Sequence, residues 1–411
     1  MNSIFPKRKI SDVCELIVDC VNRTAPKVEG PTPWRMLRTP NIRNGRIDTN
    51  NCFFVNEETF ERWTRRATLK VGDTILTREA PVGEVGLVRE AEGFFLGQRL
   101  MQYRADPSVM DAGFFHYAMR SPYLSQQFHS HGGSGSVVDH LRVPDCKEFM
   151  VPCPPISEQR EIGTILGALD DKIELNRKTA ATLEEMARAL YRSWFVDFDP
   201  VHAKAAGRAP AHMDTQTADL FPNSFGKDGL PEGWELKRLG DLIKLNYGKA
   251  LKKDLRIPGE FPVFGSGGVG GTHKEALVKV PTIIVGRKGT VGSLHWAPNG
   301  SWPIDTVFYV TSDYPLSLIM RLLGELPLNE MNTDAAVPGL NRDNAYRLEI
   351  PFPGAAIVQA YSEFSDVWQQ KIDKLEDENQ TLATLRDTLL PRLMSGELRV
   401  GAAKGQVEEV V

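Results

Sequence analysis

The sequence predicts an α+β fold: two tandem-repeated α/β domains separated by two long helices that pair as an antiparallel coiled coil. Three observations predict it. The segment LDDKIELNRKTAATLEEMARALYRSW (169–194) aligns with WQQKIDKLEDENQTLATLRDTLLPRL (368–393) at an offset of 199. Upstream at the same offset, GSVVDHLRVPDCKEFMVPCPP (135–155) faces DAAVPGLNRDNAYRLEIPFPG (334–354), so Val138 meets Val337, Leu141 meets Leu340 and Pro152 meets Pro351. Further up, VGDTILTREAPVGEVGLV (71–88) resembles VPTIIVGRKGTVGSLHWA (280–297) with a small shift of register. A repeat in fixed order is the signature of a duplicated unit. Each copy reads as a globular block, a proline-marked boundary and a long helix.

The globular blocks are strand-rich. TILTREA, EVGLVRE and PTIIVGRKG are short apolar and β-branched runs broken by Gly and Pro, as expected of strands on a mixed sheet or partial barrel. YLSQQFHS and PLSLIMRLLGEL read as short helices inside the blocks.

The long helices carry the clearest pattern. Leu169, Ile173, Asn176, Ala180, Leu183, Ala187, Leu190 and Trp194 fall at alternating spacings of four and three. The second copy supplies Trp368, Ile372, Leu375, Asn379, Leu382, Arg386, Leu389 and Leu393. Such a seam, with one Asn in each copy to fix register, suits helix-on-helix pairing. Ser157, followed by Glu158, Gln159 and Glu161, supplies a cap and first-turn acids. A helix of roughly 25–35 residues spans about 40–50 Å, a spacer suited to modules about one DNA turn apart. Between the copies, residues 197–234 are rich in Ala, Gly, Pro and Asp and read as an extended linker.

Composition narrows the function classes. The formal charge is −4, with 49 Lys+Arg against 53 Asp+Glu. Residues 1–155 carry 20 Lys+Arg against 18 Asp+Glu and residues 231–351 carry 14 against 13, which leaves −7 for the rest. Faintly basic blocks permit local DNA contact without establishing it. No apolar run reaches membrane-spanning length, and MNSIFPKRKISDV lacks a signal-peptide core, so a cytoplasmic protein without membrane contact is expected. Five cysteines in no CxxC spacing read as reduced buried thiols. Zinc held by Cys146, Cys153, His129 and His131 fits no familiar spacing, so no metal site is expected.

Catalytic signatures are absent from the sequence: no GxxxxGK[ST], HExxH or GxSxG string, and no NPP[YF]-like segment, occurs. FGSGGVG (264–270) contains a formal GxGxxG at Gly265, Gly267 and Gly270. A dinucleotide fingerprint also needs a following helix and an acid about 20 residues on, and neither is there. A glycine-rich surface turn and a loop approaching DNA both remain open, the latter echoed by HGGSGS (131–136). The candidate DNA contacts lie after the strand-like runs: Arg78, Glu79, Gln98 and Arg99 in the first copy, Arg287 and Lys288 in the second, with the loop residues Ser134, Lys249 and Ser266. Arg bonds guanine bidentately, Gln adenine, and Glu accepts from cytosine; Arg and Lys also serve phosphates alone.

Together these strings resemble the specificity subunits of type I restriction–modification enzymes. PPISEQREIGTILGALDDKIELNRK (154–178) and RALYRSWFVDFDPVHAKAAGRAP (188–210) resemble the conserved region after the family's first recognition domain. LPEGWELKRLGDL (230–242) resembles the start of the second, and VFGSGGVGG and LRDTLLPRLMSGELRV (385–400) are similar to later family strings. GAAIVQAYSEF stands in the second half where the first has ISEQREIGTIL, so the two conserved regions are unlike each other there. The resemblance implies target-recognition domains at 1–155 and 231–352, a central helix at 156–196, a linker at 197–230, a C-terminal helix at 353–400 and a tail at 401–411. It further implies a non-catalytic chain that reads a bipartite asymmetric duplex target. The helices would set the unread spacer and dock two modification subunits. S-adenosylmethionine would belong to those methyltransferase partners, ATP and Mg to motor–nuclease restriction subunits, and no cofactor to this chain. The alternative is a stand-alone DNA-binding scaffold without a methyltransferase partner.

Overall fold

The computed structural model describes residues 4–21, 23–132, 140–331 and 339–410. In the first copy, β1 (Lys7–Lys9), β2 (Cys14–Asp19), β3 (Arg35–Leu37), β4 (Ile42–Arg43), β5 (Arg46–Ile47) and β6 (Phe53–Phe54) precede helix α1 (Glu57–Thr64). Then come β7 (Thr74–Thr77), β8 (Val85–Leu87), β9 (Phe94–Leu96) and β10 (Leu100–Ala105). Helices α2 (Ala112–Arg120) and α3 (Pro122–Gly132) lead to β11 (Met150–Pro152), which runs into the long helix α4 (Ile156–Phe195). The main sheet has the order β2-β10-β7-β8, and a smaller one the order β6-β3-β9, with β3 and β9 parallel. All four residues of β7 are buried, because apolar clusters cover both faces. This explains why TILT reads as a continuous run instead of an alternating one.

The second copy opens with short helices α5 (Asp199–Ala205) and α6 (Thr215–Asp219), then β12 (Glu235–Arg238), α7 (Leu239–Leu242) and β13 (Lys244–Tyr247). It continues through β14 (Phe261–Gly265), β15 (Gly268–His273), β16 (Thr282–Gly286), β17 (Leu294–Ala297), β18 (Trp302–Pro303) and β19 (Val307–Thr311). Helices α8 (Leu316–Glu325) and α9 (Arg342–Tyr346), strand β20 (Glu349–Phe352), the long helix α10 (Ala355–Ser395) and α11 (Val400–Glu408) complete the chain. Its main sheet runs β13-β19-β16-β17 and its small sheet β15-β14-β18, with β14 and β18 parallel. The main sheet of the second copy therefore repeats that of the first strand for strand. In each copy, a two-stranded ribbon ties the block's start to the strand before its long helix: Lys7 opposite Pro152, Glu235 opposite Phe352. Pro152 and Pro351 sit in two-stranded ribbons, where a missing ladder donor is tolerated.

The chain divides into two compact units, residues 1–175 with 378–411, and residues 176–377. Each contains one half of α4 and one half of α10. In the first unit Leu169 and Ile173 of α4 join Leu382, Leu389 and Leu393 of α10 in one core with Phe114, Phe115 and Met101 of the globular block. In the second, Tyr191, Trp194 and Phe195 of α4 and Tyr361 of α10 share a core with Leu245, Phe308 and Leu322. There the Tyr361 hydroxyl donates to the Ala187 carbonyl at 3.0 Å. The pairing of early α4 with late α10, and of late α4 with early α10, is antiparallel. None of the sixteen seam residues from Leu169 to Trp194 and from Trp368 to Leu393 is exposed.

Three expectations are corrected. The helices have 40 and 41 residues, beyond the 25–35 expected; in α4, Ile162 and Leu166 continue the seam's spacing upstream of Leu169 and are buried with it in the first unit's core. α4 starts at Ile156, so Ser157 lies within its first turn and does not cap it. Gln159, wholly buried, instead fixes this end by accepting from the Asp111 amide at 2.9 Å and donating to the Pro154 carbonyl at 2.9 Å. Residues 197–234 are not extended: Val201, Phe221 and Trp234 are buried in the second unit's core. Phe195, Phe198 and Trp234 lie ring against ring there. A few large apolar residues spaced too widely for a period suffice to fold the segment.

Candidate nucleic-acid interface

In each main sheet, one end gathers the C-terminus of the outer strand, the start of its neighbour and the C-terminus of the third. In the first unit, Met101 stands opposite Asp19 and Leu100 opposite Thr77, so the residues after β2 and β7 and those before β10 share one rim. Arg78, Glu79, Gln98 and Arg99 all lie on it. The Arg78 amide donates to the Arg99 carbonyl at 2.8 Å, and the Leu141 amide donates to the Arg78 carbonyl at 3.0 Å. Glu79 accepts from Arg99 Nε at 2.7 Å and lies 2.5 Å from His140 Nδ1. Arg99 holds a left-handed backbone (φ 69°), a conformation that costs a non-glycine residue energy and that the sheet must enforce. The Gln98 amide sits 3.3 Å from Thr24 Oγ1.

Arg78 departs from the expected pattern. It is only 8% exposed, and its Nη1 donates to the Leu141 carbonyl at 3.1 Å. Its guanidinium is thus turned inward to hold the loop at 140–142. Ser134 lies outside the described residues.

The second unit builds the same rim with different side chains. The Arg287 and Lys288 amides both donate to the Thr306 carbonyl at 3.0 Å, and the Leu340 amide donates to the Arg287 carbonyl at 2.8 Å. Arg287 therefore has the backbone partners of Arg78, yet its guanidinium is half-exposed over the Tyr247 ring, 4.9 Å from the centroid, with Nη1 on the Asp305 carbonyl. Arg342 approaches the same ring at 5.2 Å. The Lys249 amide donates to the Pro303 carbonyl at 3.0 Å, and Ser266 accepts at its carbonyl from Ser293 Oγ at 2.6 Å. Lys249, Ser266, Arg287 and Lys288 are thus brought to one rim. Gly248 is required there, since a Cβ would lie 2.1 Å from the Ile304 carbonyl oxygen.

The glycine motif is a hairpin turn. β14 ends at Gly265 and β15 begins at Gly268, whose φ of 98° suits glycine, so no helix follows and a dinucleotide cradle is not formed. The turn stands on the rim: a Cβ on Gly289 would lie 3.1 Å from Ser266 Oγ. The cysteine and histidine residues weighed for zinc are engaged otherwise. Burial pushes the Cys146 thiol up to about 11, and the rings of His129 and His131 bond carbonyls of their own helix. Among the described residues no three His, Cys, Asp or Glu side chains cluster as a metal site, and no helix is long and apolar enough to cross a membrane.

Sequence reasoning missed the aromatic shelf of Tyr247 with Arg342, and it missed the exposed arginines in and just after the last turn of α1. The run RWTRR (62–66) was the available signal for the latter. No local signal marks Tyr247, because only the fold brings 247, 287 and 342 together.

The chain is thus a duplicated α/β protein in which each unit bears a polar rim and includes part of both long helices. A family model described as type I restriction modification DNA specificity domain matches residues 3–185 and again residues 231–380. The chain belongs to this family. It is 26% identical over 373 residues to the type I restriction enzyme MjaIX specificity subunit of Methanocaldococcus jannaschii, covering 83% of this chain and 81% of that one. It is 28% identical over 312 residues to the type I restriction enzyme HindI specificity subunit of Haemophilus influenzae, covering 60% of this chain and 68% of that one. The crystal structure of the type I restriction–modification S subunit from M. genitalium shares the fold, with a TM-score of 0.58, 20% identity and coverage of 95% and 96%.

Proposed function

We propose that each unit reads one half of a split, asymmetric duplex target through its rim, while α4 and α10 set the unread spacer and dock two modification subunits. The observation that carries this is the duplicated rim: in each unit a sheet of the same strand order carries polar loops past its corresponding strand ends, and each unit includes part of α4 and α10. In the second unit Arg287, Lys288, Lys249 and Ser266 contact DNA. In the first, Glu79, Gln98 and Arg99 do so, with Arg78 as the residue that positions them. Ser134 remains assigned to the first interface by its glycine-rich sequence. The chain carries no cofactor and acts in the cytoplasm. Its modification partners bind S-adenosylmethionine and methylate a flipped adenine, and restriction subunits add ATP- and Mg-dependent cleavage. Helices of 40 and 41 residues are about 60 Å long, more than the roughly 34 Å of one DNA turn.

The test is purification of the chain with its partners from the native host, and mapping of N6-methyladenine in DNA with and without its gene. A co-purifying methyltransferase, and a split motif that loses methylation on deletion, are expected. Absence of both overturns the assignment.

A further inference from the structure

We propose that Arg62 and Arg65 of the first unit, with Arg23, form a clamp for the phosphates of duplex DNA, a role taken in the second unit by Lys249, Lys252 and Lys253, which follow the equivalent outer strand. The inference rests on the proposed reading of DNA by the two rims. Helix α1 has no counterpart in the second unit, where residues 274–281, between β15 and β16, carry no helix. Its start is fixed by Asn56, whose side chain accepts from the Thr59 amide at 3.0 Å. Its other end is fixed to the rim: Trp63 Nε1 donates to the Arg23 carbonyl at 3.4 Å, and Arg66 pairs with Asp19, the last residue of β2, at 2.5 Å.

The charges along α1 are sorted. Glu57, Glu58 and Glu61 precede Arg62, the basic residue of its last turn, and Arg65 and Arg66 follow directly after the helix. Arg62, Arg65 and Arg23 are exposed. Among the described residues neither Arg62 nor Arg65 pairs with a carboxylate; Arg62 lies over the Trp63 ring at 5.6 Å. Arg23 is one residue from Thr24, which touches Gln98, so the cluster borders the proposed base-reading turn. In the second unit the segment after the equivalent outer strand bears exposed Lys249, Lys252 and Lys253. Two unrelated elements thus bring exposed cations to the segments around the same strand end, one by the seating of α1 and one by the sequence that follows β13. An acidic protein partner would not require that coincidence, whereas a duplex held at two like sites would. Guanidinium groups on a firmly seated helix end suit phosphate oxygens, which they bind through paired hydrogen bonds.

The experiment uses the full chain assembled with its modification subunits. Equilibrium binding to a duplex carrying the mapped target is measured across roughly 0.05–0.3 M salt. Arg62→Gln/Arg65→Gln should flatten the log Kd against log salt slope by about 1.8, about 0.9 for each phosphate that the variant leaves unneutralised, with the methylated sequence unchanged. Arg62→Lys/Arg65→Lys, which keeps the charge, should restore the slope. An unaltered slope in the Gln variant, with the wild type binding normally, overturns the clamp. So does an unaltered slope with loss of a modification subunit, which would make this a protein contact. If the wild-type assembly neither binds nor methylates a split target, the rim reading itself falls.

Discussion

Replacing Asp170 with Asn should loosen the first unit by about 3 kcal/mol. Asp170 lies on α4 and accepts from Tyr117 Oη at 2.8 Å, Arg120 Nη1 at 2.9 Å and Arg386 Nη1 at 2.5 Å. One carboxylate therefore fastens the globular block's α2 to both long helices. The side chains of Asp170, Arg120 and Arg386 are only 14%, 11% and 12% exposed. Burial pushes the Asp170 carboxyl up, but the two guanidiniums and the hydrogen bonds outweigh it and hold the group below its ordinary value. Removing one partner of a buried ion pair typically costs about 3–5 kcal/mol, because the remaining charge stays desolvated. Arg386 retains Asp387 at 2.8 Å, which places the cost at the lower end. The assay is native-state hydrogen exchange of the buried amides of α2 and β10. A loss of about 3 kcal/mol speeds exchange by roughly two orders of magnitude where opening is global to the unit. The triple change Arg120→Met/Asp170→Leu/Arg386→Met should recover much of the loss, since apolar replacement of a whole buried network is often neutral or better. A cost below about 1 kcal/mol for Asp170→Asn would refute the argument that this carboxylate is effectively desolvated.

His116 is wholly buried, and burial, then the Arg120 guanidinium, lowers it from 6.5 to about 3. The unfolded chain thus takes up the proton first, so stability falls as pH drops from about 6.5 towards 3, by about 1.4 kcal/mol per pH unit. His116→Leu should flatten that slope in urea unfolding followed between about pH 7 and pH 5, and an unchanged slope would refute it. Arg287→Ala should weaken binding to the mapped target by about 1–3 kcal/mol if the guanidinium reads a base, and unaltered binding and methylation would remove it from the interface. Inserting four residues into α4 near Ala180 should change the preferred spacer in methylome mapping, and an unaltered spacer would argue against the helices as a ruler.

The strand-rich blocks and the helix seam were legible because each rests on local periodicity, and the repeat because matching strings recur in order at an offset of 199. Leu169, Ile173 and Leu382 announce a seam by spacing, and the structure buries them. The full reach of α4 was legible as well, since Ile162 and Leu166 continue the spacing of four and three upstream of Leu169, but a seam begun at Leu169 leaves them out. Side-chain direction on the rim was illegible. Arg78 and Arg287 follow matching strands and have matching backbone partners, yet one turns inward to the Leu141 carbonyl and the other lies over Tyr247. Nothing within either strand decides this; the neighbours that do are distant in sequence. The fold of residues 197–234 was hidden for a similar reason, since Phe221 and Trp234 find their partners in α4 and β-sheet residues far along the chain.

The two copies share topology but not the chemistry that fastens block to helix, and this bears on whether they can be interchanged. At the offset of 199, Asp170 corresponds to Gln369, and Arg386 to Ala187. Arg321, the sixth residue of α8 as Tyr117 is of α2, bonds Gln369 Oε1 at 3.1 Å and Glu184 at 2.6 Å. Gln369 Nε2 in turn donates to Asp373 at 3.0 Å, which also accepts from Trp296 Nε1 at 3.0 Å. Burial raises the Asp373 carboxyl above its ordinary range, and the Gln369 and Trp296 bonds only partly oppose this. Gln369→Asp, which installs the first copy's residue, removes the donor to Asp373 and adds a second anion beside it; Arg321 is already engaged by Glu184 and offsets the repulsion only in part, and no Arg stands at position 187. Loss of a hydrogen bond to a charged group costs about 1.5–3 kcal/mol, and the like charges add to it. The variant should therefore be destabilised by about 2–4 kcal/mol at about pH 7 and by less near about pH 4, where protonation of either carboxyl relieves the repulsion. Hydrogen exchange of α8 amides at the two pH values measures this. Equal protection of variant and wild type at neutral pH would mean that the junctions are interchangeable, and that the asymmetry of the two halves lies in the rims alone.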